Sequence, residues 1–206
     1  MRAALNASGK VKYYWHLNVD EMLLKIYEKT LEGRIKKVPR HIVVVCGELE
    51  EGFLKFAEWC RKFGVEEITL CTHGEVDTNF LRGFEVRRVN KEAVEVIEGQ
   101  KPRINIVAGY TGHDEIVNAV RKLAEKVRNG ELSPEDVDER TIDSLLAVKS
   151  QPDMIIKAGN QIPEFLIWQG IYSELYFADI DWKNLRYVDF LRILREYQRR
   201  ERRYGR

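Results

Sequence analysis

The sequence predicts a single α/β domain built on a mostly parallel sheet of about six strands, with helices on both faces. Short runs rich in Val and Ile, such as His41–Cys46 and Ile104–Ala108, indicate strands that are buried on both faces. Amphipathic helical stripes separate these runs, and strands that alternate with helices are typical of a parallel sheet. The length of 206 residues suits one domain with a full core and is too short for two large ones.

The N-terminal part divides into two segments. Residues 1–17 are only weakly patterned, so we expect a weakly ordered segment there and the domain over 18–206. Asn18, followed three residues later by Glu21, resembles a capping box and predicts a helix start. Apolar residues then recur at helical spacing: Val19, Met22, Leu23, Ile26, Tyr27 and Leu31. We favour packing of this stripe on the domain itself over contact with a membrane surface.

A helix and two strands follow the first strand. Phe53–Phe63 carries a helical apolar stripe, and Gly64 stands where glycine commonly ends a helix. Ile68–Cys71 and Phe84–Val89 predict the second and third strands. The segment Thr72–Gly83 between them is too short for two helices, because each helix needs roughly ten residues.

The second half of the chain continues the alternation. Asp114 and Glu115 favour the start of a helix that ends near residues 129–130. Its spacing predicts inward-facing side chains at Ile116, Val117, Val120, Leu123, Ala124 and Val127. Residues 153–156 and 172–177 predict two more strands. A final helix over 187–203 is predicted to bury Phe190, Leu191, Leu194 and Tyr197.

Composition excludes several classes of function. Lys and Arg number 34 and Asp and Glu number 33, so the overall charge argues against a nucleic-acid partner. Cys46, Cys60 and Cys71 lie in apolar segments without metal-ligand spacing, which predicts reduced thiols in a cytoplasmic protein. The chain has no long uncharged apolar run, so we expect contact with lipid to be peripheral, at the membrane surface.

Several strands are followed by residues that suit a phosphate site. In parallel sheets, ligands bind at the carboxyl ends of the strands, and Gly47 and the loops at 72–74, 109–112 and 157–161 should all lie along that edge. In the last of these loops, Lys157 supplies a cation, Gly159 supplies backbone freedom and Asn160 supplies an amide. These three residues predict a phosphate loop.

The block that follows this loop carries a specific resemblance. Its matching positions are Phe165-Leu166, Trp168-Gln169, Tyr172, Glu174-Leu175 and Phe177. They resemble the cis-prenyltransferases, the undecaprenyl and dehydrodolichyl diphosphate synthases, whose pattern here is Arg-x-Gly-Gly-Glu-x-Arg-x-Ser-Asn-Phe-Leu-x-Trp-Gln followed by Tyr-x-Glu-Leu-x-Phe. The resemblance extends over residues 104–127 and 199–205. It implies the fold of undecaprenyl diphosphate synthase.

The sequence departs from the family at the positions that the resemblance assigns to chemistry. Family members have a Mg²⁺-binding Asp after the first strand, where this chain has Gly47. Glu48 is one residue displaced and longer, which suits octahedral Mg²⁺ poorly. Two long tunnel helices that follow the second strand in the family have no room here. Of two diphosphate-binding arginines, one is replaced by Lys157 and the other is lost with a serine.

Other family positions are retained. Glu174 stands where the family has a metal-associated acid, which implies a metal role or a structural one. Arg203, Tyr204 and Gly205 fit the Arg-x-Gly tail that, in the family's dimers, reaches the isopentenyl diphosphate site of the other subunit. The resemblance therefore implies binding of diphosphate in trans by Arg203, Tyr204 and Gly205.

Taken with these losses, the resemblance favours a subunit with no catalytic residues of its own, like the Nogo-B-receptor-type subunit of heteromeric cis-prenyltransferases. We expect it to pair with a catalytic homologue that holds Mg²⁺ and shares isopentenyl diphosphate with it, and to form a homodimer when that partner is absent. The complex would make a long-chain polyprenyl diphosphate. Two alternatives remain: a self-sufficient short-form synthase using Glu48 or Glu50 for metal, and a prenyl diphosphate binding protein without turnover.

Overall fold

A computed structural model describes most of the chain. The described residues are 3–5, 11–13, 19–46, 52–72, 76–90, 94–109, 111–157, 166–177 and 180–200. Within the first seventeen residues, the antiparallel strands β1 (Ala3–Leu5) and β2 (Val11–Tyr13) form a separate two-stranded ribbon. The predicted boundary between this segment and the domain stays a prediction.

The remaining strands form one sheet of seven strands. In chain order they are β3 (His41–Val45), β4 (Glu67–Thr72), β5 (Phe84–Val89), β6 (Val94–Ile97), β7 (Gln100–Ala108), β8 (Met154–Lys157) and β9 (Glu174–Phe177). Their spatial order is β6-β5-β7-β4-β3-β8-β9, and every pair is parallel except β5 with β6. The predicted α/β class with a mostly parallel sheet is confirmed.

Five α-helices occur in the described residues: α1 (Val19–Glu32), α2 (Gly52–Lys62), α3 (Gly112–Arg128), α4 (Glu139–Leu145) and α5 (Tyr187–Arg199). The two faces of the sheet bury different side chains, because successive strand residues point to opposite faces. Ile42 and Val44 pack with the apolar faces of α2 and α5, whereas Val43 and Val45 pack with Val148 and Leu166. Both faces of the sheet are therefore covered at β3.

The core between the sheet and α5 follows the predicted pattern. Phe190, Leu191, Leu194 and Tyr197 are all buried, as the helical spacing of the final helix predicts. Phe190 makes an edge-on ring contact with Phe56 of α2 at a centroid distance of 5.6 Å. Such aromatic pairs add to the stabilisation that burial of apolar area provides, so they help to hold α2 and α5 together.

Two predicted inward stripes are wrong. On α1, Val19, Leu23 and Ile26 are 63%, 56% and 55% exposed, and within the described part of that helix only Leu31 is buried. On α3, Val117 and Val120 are 46% and 58% exposed. α1 meets the domain near its C-terminal end, at Leu31, and α3 buries Gly112, Glu115 and Ala119. The apolar periodicity therefore identified each helix but not its buried residues.

The strand β6 was not predicted. It folds back on β5 as an exposed antiparallel strand at one edge of the sheet, and the chain then returns to β7 on the other side of β5. Gly99 makes this return possible, because a Cβ atom at that position would lie 2.1 Å from the carbonyl oxygen of Phe84.

No helix among these described ranges is long and apolar enough to cross a bilayer.

A buried histidine at the start of β3 makes stability depend on pH. His41 is 3% exposed; its Nε2 lies 2.8 Å from Thr69 Oγ1 and its Nδ1 lies 3.2 Å from Ser150 Oγ. Burial lowers the pKa of His41 below its ordinary value, although the carboxylates of Glu67 and Asp153 act in the opposite direction.

Protonation of His41 is therefore expected to favour the unfolded chain. Unfolded histidine binds a proton near pH 6.5, whereas the folded chain binds it only at lower pH, so the free energy of unfolding should fall as the pH drops below about 6.5. Above that pH this contribution is constant. Urea unfolding of the wild type and of His41→Gln on both sides of pH 6.5 measures it. Equal pH dependence in the two proteins would contradict the prediction.

Candidate functional site

The carboxyl ends of four parallel strands meet at one edge of the sheet, as predicted. Val45 of β3 is in register with Cys71 of β4 and with Lys157 of β8, and Thr72 of β4 is in register with Ala108 of β7. The loops that follow these strands therefore start side by side. Of the predicted site residues in these loops, Gly47, Glu48, Gly159 and Asn160 lie outside the described residues.

Lys157 is the predicted phosphate-loop residue that the structure does describe. It is the last residue of β8 and is half-buried, in register with Val45 on one side and Phe177 of β9 on the other. Among the described residues that end the seven strands, it is the one cation. A lysine supplies a point charge rather than the two parallel donors of arginine, so it orients a diphosphate less firmly.

The N-terminus of α3 also lies at this edge, but its own residues occupy it. Thr111 Oγ1 accepts a hydrogen bond from the backbone N–H of Asp114 at 3.1 Å, and Asp114 Oδ2 accepts one from the N–H of Thr111, also at 3.1 Å. The first turn of α3 thus carries a carboxylate where a helix N-terminus would otherwise attract an anion. A phosphate there would meet like charge.

The described residues do not fit a magnesium ion. Mg²⁺ takes oxygen ligands in near-octahedral geometry, usually carboxylates, waters and substrate phosphates. Cys46, Thr72, Ala108, Lys157 and Phe177 stand at the described carboxyl ends of five strands, and none carries a carboxylate. Within the described ranges, no group of three or more His, Cys, Asp or Glu side chains could hold a metal ion.

Glu174 is not brought to this edge. It is the first residue of β9 and is in register with Met154, at the amino end of the sheet, whereas Lys157 is at the carboxyl end. Its carboxylate faces α5, where Oε2 lies 3.6 Å from Nη1 of Arg200. The predicted metal role of Glu174 stays a prediction, and the contact that the structure describes is with a cation.

The fold and the site can now be compared with known proteins. A family model described as putative undecaprenyl diphosphate synthase matches residues 76–205. A tritrans,polycis-undecaprenyl-diphosphate synthase of Methanocaldococcus jannaschii, named as geranylgeranyl-diphosphate specific, is 33% identical over 249 residues, with 89% of each chain covered. The chain belongs to the cis-prenyltransferase family.

A second relative and a solved structure are also similar to this chain. The enzyme of the same name from Thermococcus kodakarensis is 43% identical over 199 residues, with 93% of this chain and 73% of its own length covered. The crystal structure of a probable undecaprenyl diphosphate synthase from Campylobacter jejuni superposes with a TM-score of 0.65 at 19% identity, covering 83% of this chain and all of that one. At that identity the superposition establishes the fold alone.

The connection from β4 to β5 is short. β4 ends at Thr72 and β5 starts at Phe84, and the described part of the connection, residues 76–83, holds one 3₁₀ turn at Asn79–Leu81. Leu81 of that turn is buried in the core against α2 and the sheet. The prediction that this segment holds no pair of long helices is confirmed for these residues.

Sequence reasoning missed a set of buried hydrogen bonds that joins α3 to the turn before β9. Glu115, predicted only as a helix-start residue, is 5% exposed and accepts hydrogen bonds from the N–H of Ala147 and from Gln169 Nε2, each at 3.0 Å. Gln169 also donates to the carbonyl of Val148 at 2.9 Å. A buried charge needs such partners. The available signals in the sequence were an acid, Glu115, inside a predicted helix, and Gln169 in the Trp-Gln pair that matches the family.

Proposed function

We propose that the chain is the accessory subunit of a heteromeric cis-prenyltransferase that makes a long-chain polyprenyl diphosphate from isopentenyl diphosphate and an allylic primer. One observation carries the proposal. Residues 76–83 hold a single 3₁₀ turn between β4 and β5, at the point where the family resemblance implies a pair of tunnel helices. Within residues 76–83, therefore, no pair of helices is present to enclose a growing apolar product.

The relatives support this interpretation by their length. The alignment with the Methanocaldococcus jannaschii synthase spans 249 residues, which exceeds the 206 residues of this chain, so that relative carries residues with no counterpart here. The family model also begins to match at residue 76, beyond β3 and Gly47. These observations support the proposal that the losses lie in the half of the fold that the resemblance assigns to the primer and the product.

A second candidate is a self-sufficient short-form synthase. The names of the relatives favour it: each is named as a synthase or a transferase, and an isoprenyl transferase of Thermus thermophilus is 32% identical over 258 residues, with 92% of this chain and 98% of its own length covered. In that case Glu48 or Glu50 would supply the metal-binding carboxylate. A non-catalytic binder of a prenyl diphosphate has no specific observation in its favour.

The uncovered face of β9 is the surface that we propose for assembly. β9 is an edge strand, and Leu175 and Phe177, two residues apart on one face, are 37% and 44% exposed. Ile171 and Tyr172, in the preceding turn, are 72% and 48% exposed. A cluster of exposed apolar side chains at a sheet edge is typical of a protein–protein interface.

Co-expression with the catalytic homologue of the same organism should therefore yield a heteromer that outcompetes the homodimer. Phe177→Asp should dissociate it, because the buried interface would contain an unpaired charge. Size-exclusion chromatography with mass measurement tests this. Val96→Asp is the matched control, since Val96 is 52% exposed on β6 at the opposite edge of the sheet. A chain that stays monomeric with and without the homologue would contradict the proposal.

We place the complex in the cytoplasm, with the exposed stripe of α1 as the surface that meets the membrane. Leu23→Asp on that stripe should leave the heteromer intact and reduce its co-sedimentation with lipid vesicles. Unchanged co-sedimentation would remove α1 from this role.

A further inference from the structure

The end of the last helix is held to the edge strand by one arginine. α5 ends at Arg199, and Arg200 is its C-cap residue. The guanidinium of Arg200 donates from Nη1 to the carbonyl oxygen of Leu175 and lies 3.6 Å from Glu174 Oε2. Its Nε donates to Glu196 Oε1 at 3.3 Å, and its central carbon lies 5.8 Å from the ring centroid of Tyr176. One side chain thus contacts three consecutive residues of β9.

The carbonyl of Leu175 is available because β9 is an edge strand. The N–H of Glu174 donates to the carbonyl of Asp153, next to β8, at 2.9 Å. Successive backbone groups of a strand point to opposite sides, so the backbone groups of Leu175 point away from β8 and towards the open edge. Arg200 fills that position. A planar guanidinium offers five donors in a fixed fork to a carbonyl and two carboxylates, whereas a lysine offers three donors on a compact point charge.

These contacts are more than a surface ion pair. The side chains of Arg200 and Glu174 are 31% and 23% exposed, so solvent screens the pair only in part. Because Arg200 is bound to a backbone carbonyl, two acids and an aromatic ring, its own position is fixed from several directions. The chain leaves α5 directly from this anchored residue.

We propose that Glu174 and Arg200 are positioning residues for the C-terminal tail, holding the end of α5 against β9 so that residues 201–206 start at the open edge of the sheet. This inference rests on the proposed function and on the role in trans that the family resemblance implies for Arg203, Tyr204 and Gly205. In this role Glu174 acts through Arg200.

The test uses the heteromer and its steady-state kinetics with isopentenyl diphosphate. Arg200→Met should raise KM by about three- to tenfold with kcat little changed, because the tail keeps its own donors but is no longer held in place. Glu174→Gln should act in the same direction, and Arg200→Lys should be intermediate. Arg195→Met is the matched control: Arg195 is exposed on the same helix, and its loss changes the charge equally.

Hydrogen exchange gives a second measurement that does not depend on turnover. Backbone amides in the last turn of α5 should exchange faster in Arg200→Met and Glu174→Gln than in Arg195→Met, with the heteromer still assembled. The role of the tail in trans fails if Arg203→Ala leaves the kinetics unchanged, and the positioning role fails with it. The positioning role alone fails if Arg203→Ala raises KM but the Arg200 and Glu174 variants match the control in KM and in exchange.

Discussion

Replacing Arg203 with alanine should weaken the catalytic partner, although in the proposed heteromer Arg203 belongs to the chain without a working site. In the proposed heteromer, the tail of this chain supplies a charged donor to the diphosphate of isopentenyl diphosphate in the neighbouring subunit. Loss of such a donor is typically worth about 1.5–3 kcal/mol. The kcat/KM of the heteromer for isopentenyl diphosphate should therefore fall roughly ten- to a hundredfold.

Gly205 and Arg206 give this experiment its internal comparison. Gly205→Val should do similar damage, because a side chain there blocks the close approach of backbone N–H groups to an oxyanion. Arg206→Ala removes the same charge as Arg203→Ala but lies beyond the matched Arg-x-Gly positions, and it should have little effect. All three residues lie outside the described residues. If both damaging variants keep full activity in an assembled complex, the tail has no role in trans.

The strands of the sheet were predictable because burial dictates their composition. β3 and β7 lie inside the sheet, and after His41 the buried residues of β3 are all apolar and β-branched, which suits a strand covered on both faces. The final helix was predictable for a similar reason: its buried residues recur at the helical period and pack on Phe56 and the sheet. In these elements the local pattern and the tertiary environment agree.

The stripes of α1 and α3 had the same periodicity and were placed wrongly. Periodicity reports that one side of a helix is apolar, but it does not report whether that side meets the helix's own domain or another surface. Val117 of α3 and Leu23 of α1 are exposed in this chain. Exposed apolar stripes of this kind are typical of surfaces that meet another protein or a membrane.

The candidate site was predictable in position but not in its contacts. Parallel strands bring Cys46, Thr72 and Lys157 to one edge whatever the details of the loops. The contact between Glu174 and Arg200 joins residues far apart in the sequence, and no local spacing signals it. The family resemblance implied a metal role for Glu174, which stays a prediction. The fold places Glu174 at the amino end of β9, whereas Lys157 lies at the carboxyl end of β8.

Turnover by the separately purified chains tests the central claim most directly. This chain, the catalytic homologue and their mixture would each be assayed with isopentenyl diphosphate, a geranylgeranyl diphosphate primer and Mg²⁺. We expect no condensation by this chain alone and a higher rate in the mixture than with the homologue alone. Mg²⁺-dependent turnover by this chain alone that is lost in Glu48→Ala would contradict the account and identify a self-sufficient short-form synthase.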